Sequence, residues 1–321
     1  MNRLPDFSGF LVIPHLRVQN ANAISAPLTW GFPSMTAFVG LMWALERKTF
    51  ATCGLAFQAV GVICHAFEPQ VSRGGYVRTF CLSRNPVNSK GETAAIVEEG
   101  RAHMEISLIF AVDGQGINQA DEENKRRAKI IEDALSTMRV AGGSILPRRT
   151  GTAPCLEFID PDKQSEQFRK LRYASRLVPG YVLVSRQDIL DSRLEELRAV
   201  NSDASKLDAL LDLCRLNWMA EQEKKDGEVA KITWKQTRIK KGWIVPIPVG
   251  YAALSSIHDA GTVKNARDEN TPFRFVESIY SVGEWKGAHR LRSIRELLWY
   301  AHYDEQIGLY MCRNDYHYQK L

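Results

Sequence analysis

The chain has 321 residues, of which 45% are hydrophobic and 25% charged, and a formal net charge of +5. That is enough for one large globular domain or two smaller ones. No apolar run approaches the ~20 residues that span a bilayer, which excludes a membrane helix and a membrane partner. With no signal-peptide pattern in "MNRLPDFSGF", the expected location is the cytoplasm.

In chain order, Phe10–Val18 reads as a strand. Residues 17–34, "RVQNANAISAPLTWGFPS", follow as a long, mostly uncharged polar loop. Ser34 is placed to cap a helix over Ser34–Lys48, in which Met35, Phe38, Met42 and Leu45 share one face. Leu55–Phe67 is apolar on both faces and reads as a central strand. Alternation over Tyr76–Leu82, broken at "NPVNSKG", predicts a long hairpin or arm over residues 68–103. His103–Val112 is a third strand, a helix capped by Asp121 follows, and "RVAGGSILP" supplies a fourth short strand. This β-α-β-arm-β-α-β order is that of an α+β, ferredoxin-like or RNA-recognition-motif-like fold over residues 1–150, although an alternating order of other topology would read similarly. Residues 151–321 read as a mixed α/β C-terminal half. Its expected elements are a strand over Gly180–Ser185, helices over Asp188–Val200, Ser205–Trp218 and Ser293–His302, a mobile charged loop over 219–241, and strands in "GWIVPIPVGY" and "PFRFVESIYSVG".

Chemistry-bearing patterns are few. The six cysteines (53, 64, 81, 155, 214, 312) are scattered without a CxxC pair, so structural thiols are expected, with neither metal nor cofactor. His258-Asp259 lacks the further ligands of a metal phosphohydrolase. In "EEGRAH", Arg101 and His103 share a strand face and suit phosphate contact or acid–base work. A salt-bridged arm is the plainer reading. Basic clusters at 125–129, 146–151, 169–176 and 235–243 suit a polyanion or a solvated face. Aromatic and cationic residues interleave in "GYVRTF", "KNARDENTPFRF" and "GEWKGAHRLR", a pattern that suits unpaired RNA. Arg78, Arg84, Lys264, Arg267 and Arg274 are the phosphate-contact candidates in and beside these stretches.

The blocks "QNANAISAPLTWGFPS", "TAAIVEEGRAHMEISL", "AGGSILP", "LDALLDLCRLN", "GWIVPIPVGYAALS", "VKNARDENTPFRFVE", "GEWKGAHR" and "LLWYAH" run in this order from about residue 10 to 312. Together they resemble the second Csy protein family, the Cas-five-type subunit of the type I-F CRISPR surveillance complex. The resemblance implies a ferredoxin-like palm with an inserted β-hairpin thumb. It implies a noncatalytic subunit that pairs with the large subunit and holds the 5′ handle of the CRISPR RNA beside the backbone subunits. Target DNA is then met only within the assembled complex, and RNA cleavage belongs to another subunit. The alternative is a metal-independent endoribonuclease that processes CRISPR RNA. The resemblance also places the polar loop near RNA, where amides of Gln19, Asn20 and Asn22 suit base edges and Arg17 suits phosphate. Those amides can equally tie down their own loop.

Overall fold

The computed structural model describes residues 4–83, 87, 90–93, 97–117, 121–148, 151–160, 162–215, 218–223, 231–236, 242–266 and 268–316. Eleven strands share one sheet: β1 (Gly9–Asn22), β2 (Ala56–Pro69), β3 (Arg101–Asp113), β4 (Arg139–Val140), β5 (Gly143–Ile145), β6 (Cys155–Phe158), β7 (Tyr181–Ser185), β8 (Trp243–Ala253), β9 (Val276–Gly287), β10 (Leu298–Asp304) and β11 (Leu309–Asn314). Five helices accompany it: α1 (Met35–Cys53), α2 (Asp121–Ser136), α3 (Gln164–Ala174), α4 (Gln187–Arg198) and α5 (Lys206–Cys214). The architecture is α+β, and every strand pair is antiparallel. No helix of the described residues is long and apolar enough to cross a membrane.

The strand order is β4-β5-β1-β3-β2-β7-β9-β8-β11-β10, with β6 on the free edge of β1. The central strand β2 runs beside β3 for its whole length. Its other edge is shared by β10, at Gly61 and Val60, and by β7, at Cys64 and Ile63. The path from β2 through β7, β9, β8, β11 and β10 therefore returns to β2, and six strands close a ring. Gly61 permits this convergence: a Cβ there would stand 1.6 Å from Leu297 Cδ1.

Both faces of the sheet are buried, as continuous apolar strands require. One face packs Leu11, Val60, Leu108 and Phe110 under Phe38, Met42 and Leu45 of α1 and Ile131 and Leu135 of α2. The other packs Phe10, Ile63 and Ile109 under Phe168 and Leu171 of α3 with Ile294 and Leu297. Each such side chain contributes about 1.5–3 kcal/mol of burial. Ser34 caps α1 as its sequence position demands, accepting from Thr36 N at 3.3 Å, while its hydroxyl donates to Pro248 O at 3.1 Å.

Several expected elements differ. The polar stretch after Val18 is not all loop: β1 continues to Asn22, and Ile24–Ala26 pairs with Thr29–Trp30. Irregularities at Ile13/Leu16 and Val18/Ala21, with His15 and Asn20 at φ 52° and 59°, break the period-two pattern that would have marked the strand. The arm carries two small hairpins, Val71–Gly74 with Val77–Phe80 and Leu82–Ser83 with Val97–Glu98. The charged segment 219–241 is not simply a loop, since Trp218–Glu223 pairs with Lys231–Gln236. Residues 293–302 are not a helix but a 3-10 turn, Ile294–Leu297, running into β10. Leu297–Tyr300 are buried consecutively, so no helical face exists. The helix begun by Ser205 stops at Cys214, and β6, α3 and β11 were not foreseen.

A stacked histidine pair ties the two halves of the chain. His15 and His65 lie 4.3 Å apart. His15 Nε2 reaches Arg176 O at 2.9 Å and its Nδ1 reaches Glu105 at 2.6 Å. His65 reaches Pro179 O at 2.8 Å and Ser107 Oγ at 2.7 Å. Burial holds His65 below the usual imidazole range, helped by His15 and opposed by the Pro179 carbonyl and Glu105. The unfolded chain therefore binds a proton below about pH 6.5 that the folded chain does not. Stability is fully present above that pH and falls as pH drops through it, at a slope of at most about 1.4 kcal/mol per pH unit. Urea midpoints between pH 7.5 and 5.5 should show this fall in the wild type and a flatter profile in His65→Gln. Equal profiles would remove His65 as its cause.

Candidate nucleic-acid interface

Two groups of polar side chains stand out beyond the core. The first gathers at the far end of β1. Asn20, held at positive φ, turns its backbone N–H to His103 Nδ1 at 3.3 Å, and His103 Nε2 lies 3.1 Å from the Gln70 amide. The Gln70 amide also donates to the Asn20 side chain. The three residues come from β1, β3 and the start of the arm, and the β-irregularity at Val18/Ala21 aims them at one another. Beside them a pocket of about 330 Å³ is lined by Arg17, Gln19, Glu68, His103 and Glu105. Among the described residues Arg17 makes no ion pair; Glu105, its cross-strand neighbour, is engaged by His15.

The second group is the 71–80 hairpin. Val71 pairs with Phe80 and Gly74 with Val77, which sets Arg73 directly opposite Arg78. Both are exposed, and neither has an ion pair or hydrogen bond among the described residues. Like charges facing each other across a strand pair are unfavourable unless an anion lies between them. Tyr76, at the turn, is 107% exposed, a bare ring between two cations. At its base the hairpin is anchored by Phe80, edge-on to Trp30 at 5.6 Å, and by Gln70 N donating to Arg101 O at 2.8 Å.

The structure thus brings Arg17, Gln19, Asn20 and His103 together and leaves Arg78 on the arm. Arg101 is spent locally, its Nε donating to Glu99 Oε2 at 3.0 Å. Asn22 ties down its own loop, donating to Ile24 O at 2.8 Å and accepting from Ile24 N at 3.0 Å. Arg274 Nε donates to Ser255 O at 2.8 Å, holding the connection between β8 and β9. Lys264 is exposed on that same connection. Arg84 and Arg267 lie outside the described residues. Gln70, Arg73 and Tyr76 were missed. Arg73 was signalled by the symmetry of "RGGYVR" about its turn, whereas Gln70 had no local signal. The thiols are packing residues in part: burial pushes Cys64 and Cys312 up to about 12 and Cys155 to about 11, while Cys81 is exposed. His258 pairs through its backbone with Phe273, and among the described residues no cluster of ligand side chains could hold a metal ion.

An all-antiparallel sheet with a projecting cationic hairpin is the frame on which known relatives can be placed, and these lie among the CRISPR-associated proteins. A family model described as "CRISPR-associated protein (Cas_Csy2)" matches residues 11–312. The "CRISPR-associated protein Csy2" of Pseudomonas aeruginosa (strain UCBPP-PA14) is 45% identical over 313 residues, covering 95% of each chain. The chain belongs to the Csy2 family, a subunit family of the type I-F CRISPR complex.

Proposed function

We propose that this chain is a noncatalytic RNA-binding subunit. It holds the 5′ handle of the CRISPR RNA, pairs with the large subunit at the tail of the complex, and lays its arm against a backbone subunit. It acts in the cytoplasm, without a membrane partner, and supports recognition of foreign DNA only once assembled. The observation that carries this reading is the unpaired Arg73–Arg78 couple on the arm. A phosphodiester lying between the two guanidinium groups turns a repulsion into two charge-assisted contacts. The order β5-β1-β3-β2, with α1 leading from β1 to β2 and α2 following β3, supports the reading of a ferredoxin-like palm with the 71–98 arm as its thumb. The pocket of Arg17, Gln19 and His103 supplies one cation beside groups that can address base edges.

The test is filter binding of handle RNA to the chain paired with the large subunit, over a range of salt. Log affinity should fall with log salt by about 0.7 per phosphate neutralised. Arg73→Ala and Arg78→Ala should each shallow that slope by roughly 0.7 and weaken correct and scrambled handles alike. Unchanged slopes in both variants would take the arm away from the RNA. Metal-free cleavage of precursor RNA by the purified chain, lost in His103→Ala, would replace the binding role with the endoribonuclease one.

A further inference from the structure

Arg17 lines two hollows, of about 330 and 390 Å³. Four carboxylates share them: Glu68 and Glu105 in the first, Glu132 and Asp133 in the second. Among the described residues none of the four forms an ion pair with Arg17. Glu132 is held by Arg148 Nε at 2.6 Å and Asp133 by Lys129 Nζ at 3.0 Å. Glu68 stands on β2 opposite His103, not opposite Arg17. Glu105 is the carboxylate directly across from Arg17 in the β1–β3 register, where opposite charges ordinarily attract one another. Yet its carboxylate accepts from His15 Nδ1, at 2.6 Å. The direction of that imidazole is fixed at three further points. The His15 backbone N–H donates to Ser107 Oγ at 3.0 Å, the ring lies on that of His65 at 4.3 Å and 22°, and Nε2 is 2.9 Å from Arg176 O. The strand irregularity at Ile13/Leu16 and a φ of 52° place His15 there.

We propose that His15 is a positioning residue for polyanion binding: by engaging Glu105 it keeps the guanidinium of Arg17 available to a phosphate. The inference rests on the handle-binding reading above and adds to it what controls the charge of that site. Without His15, Glu105 faces Arg17 across a single strand pair, with no other partner to turn it away. A guanidinium–carboxylate pair then forms and occupies the donors that a phosphate would use. His15 acts through Glu105 and not by contact with the anion, since both of its ring nitrogens already have protein partners.

The experiment measures handle-RNA binding over a range of salt, with the chain paired with the large subunit, and replaces one ring nitrogen at a time by an amide. The Asn amide reaches the place of Nδ1 and the Gln amide that of Nε2. His15→Asn keeps a donor for Glu105 and should keep the wild-type salt slope. His15→Gln keeps only the contact with Arg176 O and should shallow the slope by about 0.7, the loss of one phosphate contact. Arg17→Ala should shallow it equally, and His15→Gln should add nothing to Arg17→Ala. Adding Glu105→Gln to His15→Gln should restore the slope, because an amide leaves the guanidinium charge uncancelled. Gln accepts the positive φ at His15 less readily than Asn does. Thermal unfolding is therefore recorded for each variant, and His15→Ala is the second variant, of which the same restoration by Glu105→Gln is expected. An unchanged slope in His15→Gln and His15→Ala, or a shallower one that Glu105→Gln does not restore, would overturn the positioning role and leave handle binding standing. Failure of the wild-type pair to bind RNA would overturn both.

Discussion

Replacing residues 71–98 by a short Gly-Ser linker is expected to leave the sheet folded and to abolish incorporation of the chain into an RNA-bound filament. The fold should survive because, among the described residues, both arm hairpins pair only with themselves, as separate two-stranded sheets. The cut ends are already neighbours, since Gln70 N donates to Arg101 O at 2.8 Å. A few linker residues bridge two adjacent strands, about 5 Å apart. The deletion removes the edge-on contact of Phe80 with Trp30, worth about 1 kcal/mol. Assembly should fail because an isolated two-stranded hairpin is marginal in water and gains its stability from what it docks on. Circular dichroism and thermal unfolding would report the fold. Size analysis after co-expression with the other subunits and guide RNA would report assembly. A deletion variant that assembles normally would refute the docking role of the arm.

Arg186→Ala is expected to be the most destabilising single change. Arg186 is 3% exposed and sits just before α4. It donates to Asp188 through Nε and Nη2, at 3.0 Å each, and to buried Glu284 on β9 through Nη1. Its backbone N–H donates to Val282 O at 2.9 Å, so one residue clamps the α4–α5 cap to the sheet. Under that cap Leu190, Leu194 and Leu213 pack with Val282. Among the described residues, truncation leaves Glu284 buried with Lys286, at 3.1 Å, as its counter-charge. Breaking a buried pair from one side costs about 3–5 kcal/mol, a large part of a total stability on the order of 5–15 kcal/mol. The paired change Arg186→Met with Glu284→Met should recover most of that loss, because no uncompensated charge remains. Urea unfolding of the single and double variants decides it. A single variant within about 1 kcal/mol of wild type would show that water reaches Glu284.

The candidate site was legible in the sequence where its signal was local. Arg78 was singled out because "GYVRTF" interleaves rings and cations within a few residues. Arg73 needed the hairpin register, which puts it opposite Arg78. The sequence placed Asn22 in the polar loop after the first strand and Arg101 on a strand face, and in the structure their side chains are committed to Ile24 and Glu99. Residue type alone does not disclose whether a donor is already spent. Trp30, Tyr181, Trp243 and Trp285 line one hollow but are separated by up to 255 residues, so no window along the chain could group them.

By itself the sequence determined what depends on neighbours a few residues away. Ser34 and Ser205 cap helices because a hydroxyl there meets the first free amides. Phe38, Met42 and Leu45 share a core face because the helix repeats every 3.6 residues. The unbroken apolar run of β2 required neighbours on both faces. Only the tertiary structure decided the rest. It closed the ring at Gly61, continued β1 through His15 and Asn20, and replaced the end of the helix expected over Ser293–His302 by the strand Leu298–Asp304 that meets β2. Those outcomes depend on which distant strand supplies the hydrogen-bonding partner, and partners at large sequence separation leave no periodic trace in the segment they select.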